Sequence, residues 1–198
     1  MTNNMTIKQL SIPILLVLLT FSSFTGSIIE AQSLKLNAKN FSMTIFGTTN
    51  VHNFQSKVTQ ASGELVLNSS NHVQSLEVQI PVKSIKSNEK IMDNKTYEAF
   101  NATKNPTIFF KMLETNSLQV TGDDINVTIS GNLTIAGVTK KVILKSIGKI
   151  IKAGVYEFKG SFALKMTDFS MKPPTAMLGI MKVGDAIILK YDVTFENN

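Results

Sequence analysis

Apolar residues recur at every second position, run after run, from Leu34 to the end of the chain. That period of two is the repeat of a strand with one face buried. The clearest instance is Gly131 to Leu144, GNLTIAGVTKKVIL. Leu133 and Ile135 alternate with Asn132, Thr134 and Ala136; Val142 and Leu144 alternate with Lys141, Ile143 and Lys145. Between them Ala136–Thr139, AGVT, supplies a glycine where the chain can reverse. The spacing predicts two amphipathic strands joined by a tight turn.

The same device repeats on both sides. Leu34, Leu36 and Ala38 alternate, and after Lys39-Asn40 so do Phe41, Met43 and Ile45. Leu76, Val78, Ile80 and Val82 follow, with Pro81 inside the run marking an edge or a bulge near its end. Thr107–Met112 and Leu118–Val120 read as two separate strands, and Ile125, Val127 and Ile129 return from the turn Thr121-Gly122-Asp123-Asp124. Phe158, Phe162, Leu164 and Met166 share one parity, and Ile187, Leu189, Tyr191, Val193 and Phe195 another. Only the segment near 88–104 breaks the rhythm. There Met92, Tyr97 and Phe100 fall among charged residues without a period of two, which predicts a short helical insert ending before Pro106. The pattern as a whole predicts an all-β fold of roughly eight to ten antiparallel strands, closing into a barrel or a sandwich; a barrel of about eight strands can hold one small ligand inside.

At the N-terminus, Lys8 precedes the apolar run Ile12–Phe24, and small residues lead to Ala31. This is the form of a secretory signal ending at Ala31, so residues 1–31 are expected to be removed and 32–198 to form one exported domain. The chain has no cysteine, which excludes disulfides, thiolate metal sites and thiol nucleophiles. Its net charge of +6 comes entirely from lysine, spread along the chain without a single arginine. Bidentate reading of phosphate or guanine therefore has no side chain to perform it. Nucleic acid is not the expected partner, whereas transient attraction to an anionic membrane surface is.

Catalytic residues are scarce. His52 and His72 are the only histidines, and no carboxylate stands at metal-ligand spacing from either. Asp123-Asp124 belongs to a turn signal. No catalytic residue, metal ligand or cofactor is assigned. His52 and Asn53 follow a Gly-Thr-Thr turn and are either polar anchors at a barrel mouth or hydrogen-bonded turn residues. Met166, Met171, Met177 and Met181 cluster beside Pro173-Pro174. Unbranched methionine suits an adaptable apolar lid, and thioethers also suit Cu(I), though the irregular spacing favours the lid.

In order and spacing the motifs resemble the YceI-like family. The pieces are Phe41–Phe54 with its Gly-Thr-Thr turn and histidine, Tyr97–Lys111 running into a Pro-x-Ile-x-Phe strand, the Gly131–Leu144 hairpin, and Met166–Asp185 with its double proline. The resemblance implies an exported, lipocalin-like barrel, periplasmic or secreted, that holds an isoprenoid or other long-chain lipid. The lipid-contacting residues expected from it are Phe41, Met43, Ile45, Phe110, Met112, Leu133, Ile135, Phe162, Leu164, Leu189 and Tyr191 within, with His52, Asn53, Met177 and Met181 at the mouth. The absence of arginine departs from the family pattern, and a lysine would have to meet a charged head group. The rival readings are a copper-handling module using the methionine loop 166–181 and a lipid-modifying enzyme. Pairing of the barrel into a homodimer is left open by the sequence.

Overall fold

The computed structural model of the chain describes residues 31–68 and 72–197. The predicted signal segment up to Glu30 lies outside the described residues. Among the described residues the alternation folds as expected, into eleven strands and one α-helix. In chain order these are β1 (Gln32–Thr49), β2 (Asn53–Val58), β3 (Ser62–Leu67), β4 (Val73–Pro81), β5 (Ile85–Lys86), α1 (Lys90–Phe100), β6 (Thr107–Thr121), β7 (Asp124–Ile135), β8 (Val138–Lys152), β9 (Val155–Lys165), β10 (Thr175–Ala176) and β11 (Met181–Glu196). The order β11-β9-β8-β7-β6-β4-β3-β1 closes on itself through the antiparallel pairing of β11 with β1. Eight strands thus form a closed antiparallel barrel. Short β2, β5 and β10 extend it at one end.

The central hairpin forms where its sequence places it. Ile135 pairs with Val138 across a two-residue turn in which Ala136 and Gly137 both take positive φ, 50° and 82°. That is the mirror-image turn whose twist matches the strands it joins. Outside the barrel, Thr134 and Thr139 share a 2.8 Å hydroxyl hydrogen bond.

One expectation is corrected. Thr107–Met112 and Leu118–Val120 are not separate strands but one, β6, with register shifts between Met112 and Glu114 and between Thr115 and Ser117. Each shift inserts a residue that breaks the alternation without ending the ladder. A larger excursion interrupts β1 between Leu36 and Phe41, where the Asn37 carboxamide oxygen accepts from the amides of Lys39 (2.8 Å) and Asn40 (3.0 Å). Pro81 is the last residue of β4, where its missing N–H disturbs no inner rung.

The register divides the barrel into two ends. The lower end carries the first residues of β1, the Gly122 and Gly154 turns and the last residues of β11. Leu34, Leu67, Ile125 and Tyr156 are buried there, with Leu34 wholly enclosed. The upper end carries the turn between β1 and β2, the hairpin turn at Ala136-Gly137, the segment 82–106 and the loop 166–180. Helix α1 closes one side of it. The Tyr97 hydroxyl pins the helix by donating toward the carbonyls of Lys83 (3.1 Å) and Ile85 (3.2 Å), while accepting from Lys86 Nζ at 2.6 Å. Asn101 ends the helix in the left-handed conformation (φ 48°). Phe100, the helix's one buried residue, turns inward.

The wall is not uniformly laced. Pairing of β8 with β9 stops at Ser146 and Gly160, so the upper halves of these strands splay apart. The 3-10 turn Met166–Phe169 lies against both β8 and β9, and Met166, Phe169 and nearby Met171 are buried.

Candidate functional site

Alternation over so many strands turns one parity of each toward a common interior. The result is a cavity of about 170 Å³ lined almost wholly by carbon. Apolar cavities of roughly 150 Å³ stay dry and take apolar guests. Along β11 the lining runs from Ile187 through Leu189, Tyr191 and Val193 to Phe195, eight steps of strand or roughly 26 Å. A modest volume spread over that length is a slender channel. Its lower end is plugged by the buried residues named above; at the upper end the lining combines buried Ile85, Phe100 and Ile135 with half-buried Ile45, Leu164 and Ile187.

The cavity lining has two polar side chains, and they bond each other. Ser146 Oγ and the Tyr191 hydroxyl lie 2.7 Å apart. Burial pushes the Tyr191 phenol above its ordinary range, and the Ser146 hydrogen bond works partly against that. That bond uses one of the two hydroxyl protons, so at most a single O–H donor remains in a lining otherwise made of carbon.

Met43, Ile45, Phe110, Leu133, Ile135, Phe162, Leu164, Leu189 and Tyr191 all line the cavity, as expected from their parity. Phe41 and Met112 lie on the same inward register, opposite Val193 and Gly131, but pack in the wall without reaching the channel. The side chain of Met177 lies outside the described residues. His52, Asn53 and Met181 line a second space, a cleft of about 290 Å³ at the upper rim. Its walls are the start of β2, the first half of α1 and the segments on either side of the 177–180 turn, and it shares no lining residue with the channel. His52 is exposed, and its backbone is tied to Thr49. Its N–H donates to Thr49 Oγ1 (2.9 Å), and its carbonyl accepts from Thr49 N (2.8 Å).

The lining residues that the expectation omitted fall in two groups. Leu65, Leu76, Val78 and Ile80 sit on strands whose alternation is legible, and parity alone finds them. Ile85 and Phe100 come from the non-periodic insert, where only the folded helix shows which way a side chain turns. Of the methionine cluster, Met166 and Met171 are buried beside Phe169, filling the seam between β8 and β9. Among the described residues no group of three His, Asp or Glu side chains could hold a metal ion.

The YceI-like domain model matches residues 33–195, nearly the whole barrel. A protein of Pseudomonas aeruginosa, named UPF0312 protein, is 35% identical over 106 residues, covering 49% of this chain and 52% of its own length. The chain therefore spans about half the length of that relative. Among solved structures, BcnA of Burkholderia cenocepacia superposes with a TM-score of 0.65 at 18% identity, over 80% of this chain and 98% of BcnA. A polyisoprenoid binding domain from Saccharophagus degradans, implicated in plant cell wall breakdown, superposes with a TM-score of 0.69 at 13% identity, over 83% of this chain and 98% of that domain. At these identities the structures speak for the fold.

Proposed function

The chain belongs to the YceI-like family, and from that premise we propose that it is an exported binding protein that encloses the tail of a long-chain isoprenoid or related lipid in its barrel. One observation carries the reading: the channel is long, slender and lined almost wholly by carbon, with its two hydroxyls bonded to each other. Such a space rewards burial of methylenes, about 0.8 kcal/mol each, and offers little to a polar solute. A slender cross-section suits a linear chain better than fused rings. The polyisoprenoid-binding neighbour supports the same ligand class by analogy of fold. The head group is then left at the upper end, near the cleft of His52 and Asn53, where Lys95 is the cation among the lining residues.

Binding without turnover is the simpler reading, because the channel walls present no nucleophile beside a base. The copper reading is weakened by the burial of Met166 and Met171, whose thioethers are packed as apolar filler. Extraction of natively purified protein with organic solvent, followed by mass spectrometry, tests the proposal. A stoichiometric lipid with a long linear or isoprenoid tail is expected. Protein that emerges empty and takes up no such lipid on incubation would overturn it, as would a lipid released chemically altered.

A further inference from the structure

The upper rim carries the most exposed large apolar side chains among the described residues. Leu178 is 106% exposed, Ile91 and Ile180 are each 71% exposed and Val51 is 66% exposed. They come from three segments of the rim that the fold holds together. Asn50 joins the β1–β2 turn to the turn before β11, donating from Nδ2 to the Ile180 carbonyl (2.9 Å) and accepting from Lys182 N at Oδ1 (2.8 Å). Ile91, on the first turn of α1, faces the same cleft as Met181 and His52.

Leu178 is the telling residue. It sits at φ 55°, followed by Gly179 at φ 89°. Left-handed backbone is unfavourable for a bulky side chain, and asparagine, aspartate or glycine would serve a solvent-facing turn better. Here the disfavoured conformation holds a leucine fully out into solvent, away from every core contact. Three lysines flank these tips. Lys90, Lys172 and Lys182 are exposed and form no ion pair among the described residues. Glu89 is the one acidic side chain lining the cleft.

We propose that this rim is a docking face for an anionic lipid bilayer, with Leu178, Ile180, Val51 and Ile91 entering the interfacial layer and Lys90, Lys172 and Lys182 meeting its head groups. The combination of protruding apolar tips with flanking cations is what interfacial membrane binding requires. The inference rests on the reading of the channel as a lipid site, because the docking face belongs to the upper end, where Ile45, Leu164 and Ile187 of the channel lining are half-buried. A bilayer seated there would let a tail pass between membrane and barrel without crossing water.

Flotation of the intact protein with vesicles tests this. Phosphatidylcholine–phosphatidylglycerol vesicles should carry the protein upward, and pure phosphatidylcholine should carry less. The double variant Leu178→Asp/Ile180→Asp should lose about tenfold or more of that partitioning, each tip exchanging apolar burial for charge repulsion. Its far-UV circular dichroism and its uptake of lipid delivered in detergent should match the parent's, which separates failure of docking from failure of the lipid-binding reading. Because the chain has no tryptophan, Leu178→Trp provides a silent-background probe, and its emission should shift to the blue on anionic vesicles. No flotation on anionic vesicles would overturn the proposal, as would undiminished flotation of the double variant. Loss of flotation instead in Ile143→Ser/Ile147→Ser, on the outer face of β8, would move the contact to the barrel wall and overturn it too. A blue shift that grows with protein concentration without vesicles would assign the face to a second copy of the chain.

Discussion

At the scale of single residues, the channel depends on one polar contact. The Ser146–Tyr191 pair is the only hydroxyl couple in an otherwise carbon-lined space. Ser146→Ala leaves the phenol buried without its partner, which should cost roughly 1–3 kcal/mol in urea unfolding. Adding Tyr191→Phe should restore most of that loss, because a pair removed together leaves nothing unsatisfied. A double variant as unstable as Ser146→Ala alone would show that packing, and not the hydroxyl, sets the cost. The same burial fixes a pH dependence. Tyr191's ionisation is raised in the folded protein, so the group contributes its stability in full below the ordinary phenol pKa of about 10 and loses it as pH rises through the raised value. Alkaline unfolding should therefore be steeper in the parent than in Tyr191→Phe. Equal slopes would count against the burial of the phenol.

At the scale of elements, strand curvature is built from glycine facing aromatic rings. Gly160 pairs with Tyr191 in register, and a Cβ there would meet the tyrosine's ring and hydroxyl and the Lys145 carbonyl oxygen. Gly131 leaves the same kind of space for the Phe110 ring. These rings lie over the neighbouring backbone, which allows the sheet to bend around a narrow lumen. Gly160→Ala should destabilise the barrel by about 1–3 kcal/mol and push Tyr191 toward the channel, lowering retained lipid. A melting temperature and lipid content equal to the parent's would refute this account. Local rules made much of this architecture legible. Parity found the inward faces of β1, β7, β9 and β11, and glycine found the turn at Ala136-Gly137. What escaped is long-range. The bulges of β6 look like strand ends in sequence because each resets the parity. His52 and Asn53 look like mouth residues because they follow a strand end, yet the packing of α1 against that corner gives them a cleft of their own. Tertiary contact, not local pattern, decides which rim residues share a space. The Met166–Phe169 plug is likewise invisible until the splay between β8 and β9 creates a seam to fill.

At the scale of the whole molecule, the sequence before Gln32 predicts export, and the intact mass of protein from its native cell should begin at Gln32. Retention of Met1 with the protein fixed in a membrane would contradict a free carrier. The barrel behind that signal should select by tail length and apolarity, and only weakly by head group. Every rung of the channel offers carbon, from Phe195 and Val193 below to Ile45 and Leu164 above, whereas His52 and Asn53 occupy a separate exposed cleft. Each methylene buried is worth about 0.8 kcal/mol, against about 1.5–3 kcal/mol for a single hydrogen bond to a charged head. Exposed groups such as the His52 ring fall at the weak end of that range, since water competes for the same contact. Removing about two isoprene units, with their several methylenes and methyls, should therefore weaken binding more than removing the head phosphate. The protein side gives the matching contrast. His52→Ala should change lipid affinity less than tenfold, while Leu164→Glu places an unpaired charge against the tail and should cost roughly 3 kcal/mol or more, over a hundredfold. Competition between ligands of graded tail length and matched head, measured on the parent and both variants, decides the matter. A ranking by head group, with tail length immaterial and His52→Ala the damaging change, would place the ligand in the rim cleft and leave the channel as packing space alone.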